Sequence, residues 1–221
     1  MNEAVPNRRQ QNSARTRDKL ISAALELYGN SSIDAVSLRE ISVAAGQKNP
    51  NALQYHFKDR DGLLQAIIDR HSSPIAERRQ SYIQLARCGE WPAGEAAARC
   101  LVMPIIDYVV AEPSGINFVK VVSQIAAIYQ NGGNVDDEVG IRFPEAKLLA
   151  DVFEIALSTI PPREAQRRIY LIVTITFHTI ADIYRAGAQQ PPASPIANRK
   201  LMVEQLVCLL DSFFSAPSRG S

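Results

Sequence analysis

The stretch Ser37–His56, which reads SLREISVAAGQKNPNALQYH, decides how the N-terminal part of this chain folds. It opens with a capping box, because the Ser37 hydroxyl can accept from the Glu40 amide while the Glu40 side chain reaches back. Gly46 ends the helix that follows. The apolar stripe of this helix consists of Leu38, Ile41 and Ala45. These signals together predict a short amphipathic helix.

A second short helix is predicted over Pro50–His56, since Asn49 is a suitable N-cap and proline suits the first helical position. Phe57 closes this helix. The two helices and the turn around residues 46–48 span 20 residues, which is the size of a helix-turn-helix. The outer face of the second helix is then free to enter a DNA major groove.

Two further helices flank this unit and supply apolar faces to hold it. The first is predicted from Ser13 to Gly29, where the glycine acts as a C′ residue, and its stripe is Ile21, Ala24, Leu25 and Tyr28. Asp59 is the N-cap of the fourth helix, whose apolar face is Leu63, Leu64, Ile67 and Ile68. The run 72–74, Ser-Ser-Pro, predicts a kink or a break in it.

The rest of the chain predicts more helices and no strand of useful length. These helices cover about Pro92–Ala111, Asn117–Gln130, Pro144–Ile160, Arg163–Gly187 and Ala197–Phe214. The predicted fold class is all-α, with about nine helices. We expect a flexible basic arm over residues 1–12, a helix-turn-helix domain over 13–58 and a helical bundle over 59–221, which the fourth helix connects to the domain before it.

The distribution of charge agrees with this organisation. The 221 residues carry a formal net charge of only +1, which excludes a polycation that coats nucleic acid indiscriminately. Residues 1–60, however, hold nine basic and six acidic side chains, against 15 and 17 in the remainder. The basic excess therefore lies with the helix-turn-helix.

Cysteine usage and hydropathy point to a cytoplasmic protein with no membrane partner. Cys88, Cys100 and Cys208 form no C-x-x-C pair, so we expect buried apolar thiols in a reducing compartment. The N-terminus lacks the apolar segment of a signal peptide. The longest apolar stretch, Ile169–Ala181, has 13 residues, fewer than the roughly 20 that a membrane span needs.

The outer face of the second short helix carries amide and cationic side chains suited to DNA. Asparagine and glutamine can bond base edges, and the candidates are Lys48, Asn49, Asn51 and Gln54. Tyr55, His56 and Lys58 are donors of the kind that bind phosphates. The alternatives are that Tyr55 is a core tyrosine with its hydroxyl at the surface and that His56 is a packed histidine at a helix end.

Three runs, SLREISVAAG (37–46), ALQYHF (52–57) and KDRDGLL (58–64), resemble the N-terminal signature of tetracycline-repressor (TetR) family transcriptional regulators over about residues 14–70. The resemblance implies a homodimeric DNA-binding repressor whose C-terminal domain binds a small effector, with no cofactor or metal. It also implies that Arg39 reaches the DNA, the alternative being a solvated arginine. The implied DNA-contacting set is Ser37, Arg39, Lys48, Asn49, Asn51, Ala52, Gln54, Tyr55, His56 and Lys58.

The chain departs from the family pattern in two ways. Ten residues separate Gly46 from Phe57, one more than is common, and Gln54 stands where many members have tyrosine. The extra residue falls near Asn49-Pro50, so Lys48, Asn49 and Asn51 are interchangeable as base contacts. Tyr55, His56 and Lys58 align without ambiguity.

Two late helices carry broad apolar stripes, and the resemblance places the last two helices at a two-fold interface. The predicted interface residues are Phe177, Ile180, Ala181, Tyr184, Val203, Leu206, Val207, Leu210, Phe213 and Phe214. The alternative is a monomeric bundle that buries both stripes internally. We favour the dimer because a bipartite operator needs two DNA-binding domains about one helical turn apart, roughly 34–36 Å.

An effector pocket is expected among the middle helices. Its candidate residues are Trp91, Met103, Tyr108, Asn117, Phe118, Val122, Tyr129, Phe143, Phe153 and His178. The alternative is that most of them are ordinary core residues. Because the set holds no charged cluster, it favours a largely apolar ligand.

These observations predict a ligand-responsive repressor that leaves a pseudo-palindromic operator when a small molecule binds. An enzyme is not expected, since the chain has no H-E-x-x-H, no G-x-S-x-G and no glycine-rich phosphate loop. The acidic run 136–138 lacks the spacing of a calcium loop. The alternative function is a helical ligand-binding or interaction module that does not read DNA sequence.

Overall fold

The computed structural model describes residues 8–49, 51–128 and 141–218. Within these ranges the chain is all-α, with nine α-helices and no strand, which confirms the predicted fold class. The helices are α1 (Arg8–Asn30), α2 (Leu38–Ala44), α3 (Ala52–Phe57), α4 (Arg60–Arg87), α5 (Ala93–Ala111), α6 (Gly115–Ile128), α7 (Ala150–Ala156), α8 (Pro162–Gln189) and α9 (Arg199–Ser215). Short 3₁₀ turns occupy Ile33–Ala35, Pro144–Leu149 and Pro195–Ala197.

The local signals at the start of α2 and α4 form as predicted. The Ser37 Oγ accepts from the Glu40 amide at 3.2 Å, and the Ser37 amide donates to Glu40 Oε2 at 2.7 Å. These bonds to Ser37 lower the pKa of the Glu40 carboxyl. Gly46 ends the helix region with a φ of +67°, a conformation that glycine adopts without strain. Asp59 accepts from the Gly62 amide at 2.9 Å and caps α4.

Both predicted ends of α1 need correction. The helix begins at Arg8 instead of Ser13, because arginine and glutamine are good helix formers, so residues 8–12 are helical and not part of a flexible arm. Residues 1–7 lie outside the described residues. Gly29 is inside the helix and is not a C′ residue. A Cβ there would lie 2.7 Å from the Cβ of Asn117, so this glycine allows α1 to approach α6 closely.

The recognition helix α3 starts two residues later than predicted. Its N-cap is Asn51, and the Asn49 side chain contributes by accepting from the Asn51 amide at 3.0 Å. Pro50, the predicted first helical residue, lies outside the described residues. Phe57 ends α3 as expected.

Helix α4 is continuous through Pro74, so the predicted break is wrong. The helical turns on either side of the proline contain buried residues, namely His71, Ser72, Ile75 and Arg79. This part of α4 packs along α5. That packing outweighs the cost of about 3 kcal/mol that an interior proline imposes on a helix.

The later helices lie close to their predicted positions, with one exception. The predicted helix Pro144–Ile160 is replaced by a 3₁₀ turn and the short helix α7, which ends at Ala156. Ser158 and Thr159 favour turns over helix, and Pro161 disfavours a helical residue before it. Pro162 then begins α8 at the first helical position.

Most of the predicted dimer-interface residues are buried inside the chain's own bundle. Eight of them are buried: Phe177, Ile180, Ala181, Val203, Leu206, Val207, Leu210 and Phe214. Tyr184 and Phe213 are half-buried beneath the guanidinium groups of Arg199 and Arg168, at 5.1 and 5.8 Å. Both stripes are covered because α5 packs on α9 and α6 packs on α8. This burial agrees with the alternative in which the bundle covers both stripes internally.

The cysteines follow the expectation only in part. Cys100 is buried, and burial raises the pKa of its thiol to about 11. Cys88 and Cys208 are exposed, because each lies on the outer side of its segment. Of the helices in the described ranges, none is long and apolar enough to span a membrane.

Candidate nucleic-acid interface

The exposed side of the helix-turn-helix carries nearly all of the residues predicted to contact DNA. Ser37 and Arg39 are exposed at the start of α2, and Tyr55 on α3 is 82% exposed. The other exposed members are Lys48, Asn49, Asn51, Gln54 and Lys58. An aromatic side chain this exposed makes little packing contribution, so Tyr55 is available to a ligand.

The opposite side of α3 anchors it to the head, by which we mean α1 to α3 with the first turns of α4. Leu53 and Phe57 are buried there, as is Ala52 at 8% exposure. Ala52 therefore lies on the inner face of α3, unlike the other predicted DNA contacts on this helix. Its position follows from the helix period, since residues 52, 53 and 57 share one side.

A tight joint connects α3 to α4. Lys58 has a φ of +70°, the only positive φ at a non-glycine residue in the described part of the chain. Its amide still donates to the Gln54 carbonyl at 2.9 Å, and the Asp59 amide donates to the Phe57 carbonyl at 2.8 Å. A lysine in this region is strained, so the surrounding bonds hold it there. The joint fixes the end of α3 relative to the start of α4.

Arg17 adds to this surface a cation that the sequence analysis did not single out. Its guanidinium lies 5.2 Å from the centre of the Phe57 ring, at the C-terminal end of α3. Burial and then the charge of Arg17 lower the pKa of His56, which is half-buried beside it. Its spacing in the sequence could have identified it, because Arg17 precedes the buried Ile21 by one turn and so shares its face.

The predicted effector residues do not gather in one place. Trp91 stacks near Arg99, Asn117 packs against α1, and Phe153 contacts Phe214 of α9 with ring centres 5.2 Å apart. His178 is exposed, and Tyr129 lies outside the described residues. The remaining members are buried or half-buried in the bundle: Met103, Tyr108, Phe118, Val122 and Phe143.

Tyr108 and Phe118 meet a residue that was not predicted for this site, His71 of α4. Its Nδ1 is hydrogen-bonded to the Tyr108 hydroxyl, and its ring stacks on Phe118 with centres 4.8 Å apart. Burial and then the charge of Arg70 lower the pKa of His71 to about 4, while burial raises the pKa of Tyr108 to about 12. Both side chains are therefore neutral at neutral pH.

The second ring nitrogen of His71, Nε2, is buried and has no hydrogen-bond partner within the described ranges. The Ser72 hydroxyl is in the same situation. A buried polar atom without a partner costs about 1–3 kcal/mol, so a polar group that reached it would be favoured. The sequence could have identified His71 as a buried histidine, because it lies at helical spacing between Ile67 and Ile75.

Comparison with known proteins gives a match at the same residues. A family model described as bacterial regulatory proteins, tetR family, matches residues 20–67. The HTH-type transcriptional regulator AcrR of Shigella flexneri is 33% identical over 72 residues, which is 33% of this chain and 33% of that protein. The chain thus matches about a third of the length of this relative.

Two solved structures are similar over most of the chain. A TetR-family regulator from Streptomyces coelicolor A3 is 15% identical, covers 97% of this chain and 100% of its own, and has a TM-score of 0.46. The TetR family repressor AlkX from Dietzia sp. strain DQ12-45-1b is 20% identical, covers 90% and 96%, and has a TM-score of 0.35.

The match at residues 20–67 coincides with the helix-turn-helix and its exposed polar face. The head is thus similar to the N-terminal part of tetR-family regulatory proteins.

Proposed function

We propose that the protein is a homodimeric repressor that binds a pseudo-palindromic operator and is released by a small, largely apolar molecule. The observation that carries the proposal is the outer face of α3, where Tyr55 and a row of amide and cationic side chains project from a firmly packed head. We further propose that the DNA-binding domain ends at residue 58 and that residues 59–221 bind the effector and the second subunit.

Selection of binding sites from random duplexes with the full chain tests the operator directly. The expected product is a pseudo-palindrome whose half-sites lie about one helical turn apart, roughly 34–36 Å. The preference over random DNA should be about 10³-fold or more at physiological salt. Equal affinity for every duplex would instead support a helical module that does not read sequence.

Lys58→Ala is expected to weaken binding to all duplexes by about tenfold and to reduce the slope of log affinity against log salt by about one for each lost phosphate contact. Alanine carries a Cβ like lysine, so the positive φ at this position is equally strained in both proteins. Fluorescence anisotropy at several salt concentrations measures the slope. Lys147→Ala, which removes an exposed lysine outside the head, should change neither the affinity nor the salt slope. Altered sequence preference with an unchanged slope would contradict a phosphate role for Lys58.

A face other than the one first predicted supports the dimer. Large apolar side chains remain exposed on the last two helices, namely Tyr170 and Leu171 on α8 and Leu201 and Leu209 on α9. Leu201 and Leu209 are 59% and 55% exposed. Helices α8 and α9 are adjacent in the bundle, so these side chains can contribute to one surface. We propose that this surface meets its copy across a two-fold axis.

Leu209→Glu should raise the dissociation constant of the dimer by at least about tenfold, because it introduces two desolvated carboxylates that face the same interface. Sedimentation equilibrium measures the constant, and circular dichroism should show an unchanged fold since the side chain is exposed. Val110→Glu is the matched control, because Val110 is 76% exposed on α5 and outside the proposed surface. If both variants dimerise like the original protein, the dimer uses another face.

For the effector site we propose the junction of α4, α5 and α6 around His71. The aromatic rings of Tyr108 and Phe118 offer apolar contact, and the unpartnered Nε2 of His71 offers one polar anchor. Helix α4 begins at the head and carries His71 in its middle, so a ligand that displaced α4 would move the recognition helices. The ligand then weakens operator binding only by its preference for the displaced state.

Operator release tests the switch once a ligand has been found by its effect on the melting temperature. A compound that stabilises the protein should raise the dissociation constant of the labelled operator in the same concentration range. A compound that binds tightly at this junction and leaves operator affinity unchanged would contradict the proposed switch.

A further inference from the structure

A cleft of about 390 Å³ opens where the end of α1 meets α6 and the C-terminal half of α8. Its walls are Gly29, Asn30, Ser31, Lys120, Ser123, Gln124, His178, Ala181, Asp182 and Arg185. The cleft lies apart from the DNA-facing surface, because Asn30 is 13 residues beyond Arg17 on the same helix, roughly 20 Å along its axis. Its volume falls in the range of small-molecule sites, about 300–1,000 Å³.

The cleft has an excess of positive charge. Lys120 and Arg185 contribute two cations and His178 a further nitrogen donor, against the single carboxylate of Asp182. Arg185 is paired with Asp182, but both side chains are more than half exposed, at 61% and 64%, so the pair is easily rearranged. Lys120 has no ion-pair partner among the residues that the structure describes.

The neutral polar groups of the cleft are already used within the protein. The Asn30 amide donates to the Glu26 carbonyl at 2.9 Å, and the Ser123 hydroxyl donates to the Lys120 carbonyl at 2.8 Å. Gln124 is engaged at both ends of its amide. The remaining polar side chains of the cleft are Ser31, the charged groups and His178.

We propose that this cleft binds a small organic anion that carries carboxylate or phosphate groups. The ammonium of Lys120 and the guanidinium of Arg185 bind its charged oxygens, since guanidinium can bond carboxylate or phosphate through two parallel hydrogen bonds. His178 lies two turns before Arg185 on α8 and donates a further hydrogen bond from that wall. A dianion fits better than a monoanion, because its two charges can meet both Lys120 and Arg185, although Asp182 offsets part of the attraction.

Because of the position of the cleft, a bound ligand would stiffen the junction between α1 and α6. Gln124 of α6 accepts from the Ile33 amide at 2.8 Å and donates to the Tyr28 carbonyl at 2.9 Å, so it joins α6 to the segment that follows α1. An anion that touches Asn30 and Ser31 on one wall and Lys120 and Arg185 on the others adds a second bridge across this junction. Occupancy therefore stiffens the connection between the head and the body of the bundle.

Thermal unfolding of the full chain, titrated with citrate and separately with glucose 6-phosphate, tests the proposal. At least one of these probes should raise the melting temperature in a saturable manner, as expected for a ligand that binds only the folded state. Lys120→Gln should raise its dissociation constant by at least about tenfold, because a charge-assisted hydrogen bond is lost. Arg185→Gln should do the same. A response to citrate alone identifies a carboxylate site, and a response to glucose 6-phosphate alone identifies a phosphate site.

Lys200→Gln removes an exposed lysine that does not line the cleft, and it should leave the probe's dissociation constant unchanged. Sodium chloride at matched ionic strength and uncharged glucose control for salt and sugar effects. Hydrogen exchange at residues 28–33 should slow when the probe is bound, which reports the junction independently of global stability. The proposal fails if no saturable shift occurs, if the controls reproduce it, or if Lys120→Gln and Arg185→Gln respond like the original protein.

Discussion

Arg168→Met should lower the free energy of unfolding by about 3–5 kcal/mol, because it removes the central member of a buried polar network. The guanidinium is 6% exposed and binds the end of α9 and the residues after it. It donates to the carbonyls of Phe213, Ala216 and Pro217 at 3.1, 2.6 and 3.0 Å. It also donates to Glu164 at 2.6 Å from Nη2. No backbone amide is available to replace it, since the last carbonyls of a helix lack partners within the helix.

Urea denaturation followed by circular dichroism measures this loss. Arg185→Met is the matched control, because Arg185 belongs to an exposed ion pair on the same helix, and such pairs contribute about 0–1 kcal/mol. Methionine keeps most of the aliphatic volume of the arginine, so the difference between the two variants reports the hydrogen bonds and charge. Equal stability of the two variants would show that the end of α9 does not depend on Arg168.

Gly62→Ala should reduce operator affinity by about 10³-fold, which removes the advantage of specific over nonspecific binding. A Cβ at this position would overlap the backbone carbonyl oxygen of Phe57, the last residue of the recognition helix. Backbone cannot rotate away as a flexible side chain can, so the end of α3 must move. The same shift disturbs the bond from the Gly62 amide to Asp59, which caps α4.

Anisotropy with the selected operator and with a random duplex of equal length distinguishes the two modes of binding. Random-duplex affinity should change far less, because nonspecific binding depends mainly on the phosphate charge. Ser73→Ala serves as the control, since Ser73 is an exposed residue of the same helix. Unchanged affinity for the operator in Gly62→Ala would mean that α3 can accept the displacement without losing its contacts.

Local signals in the sequence were sufficient to place the helix-turn-helix. The capping box at Ser37, the glycine at position 46 and the cap at Asp59 each act through atoms within a few residues, so the sequence contains everything that determines them. The three form as predicted, and α3 lies between them with only its first turn displaced.

Features that depend on distant packing could not be predicted in the same way. A broad apolar stripe shows that a helix is covered, but it does not show whether a neighbouring helix or a second subunit covers it, as the residues around Leu206 demonstrate. Pro74 lies in a continuous helix because α5 packs beside it, and Gly29 serves a contact with Asn117 instead of a cap. Each of these outcomes depends on residues far away in the chain.

Helix α4 has a further mechanical property that follows from its length and from its proline. Its 28 residues extend roughly 42 Å, and Pro74 lies at the middle, where one backbone hydrogen bond is missing. Such a helix bends most easily at the turn that contains Pro74. A tilt of about 5° at that point would carry its head end through roughly 2 Å, a displacement comparable to the tolerance of a base contact. In the proposed dimer, such a bend would change the spacing of the two α3 helices.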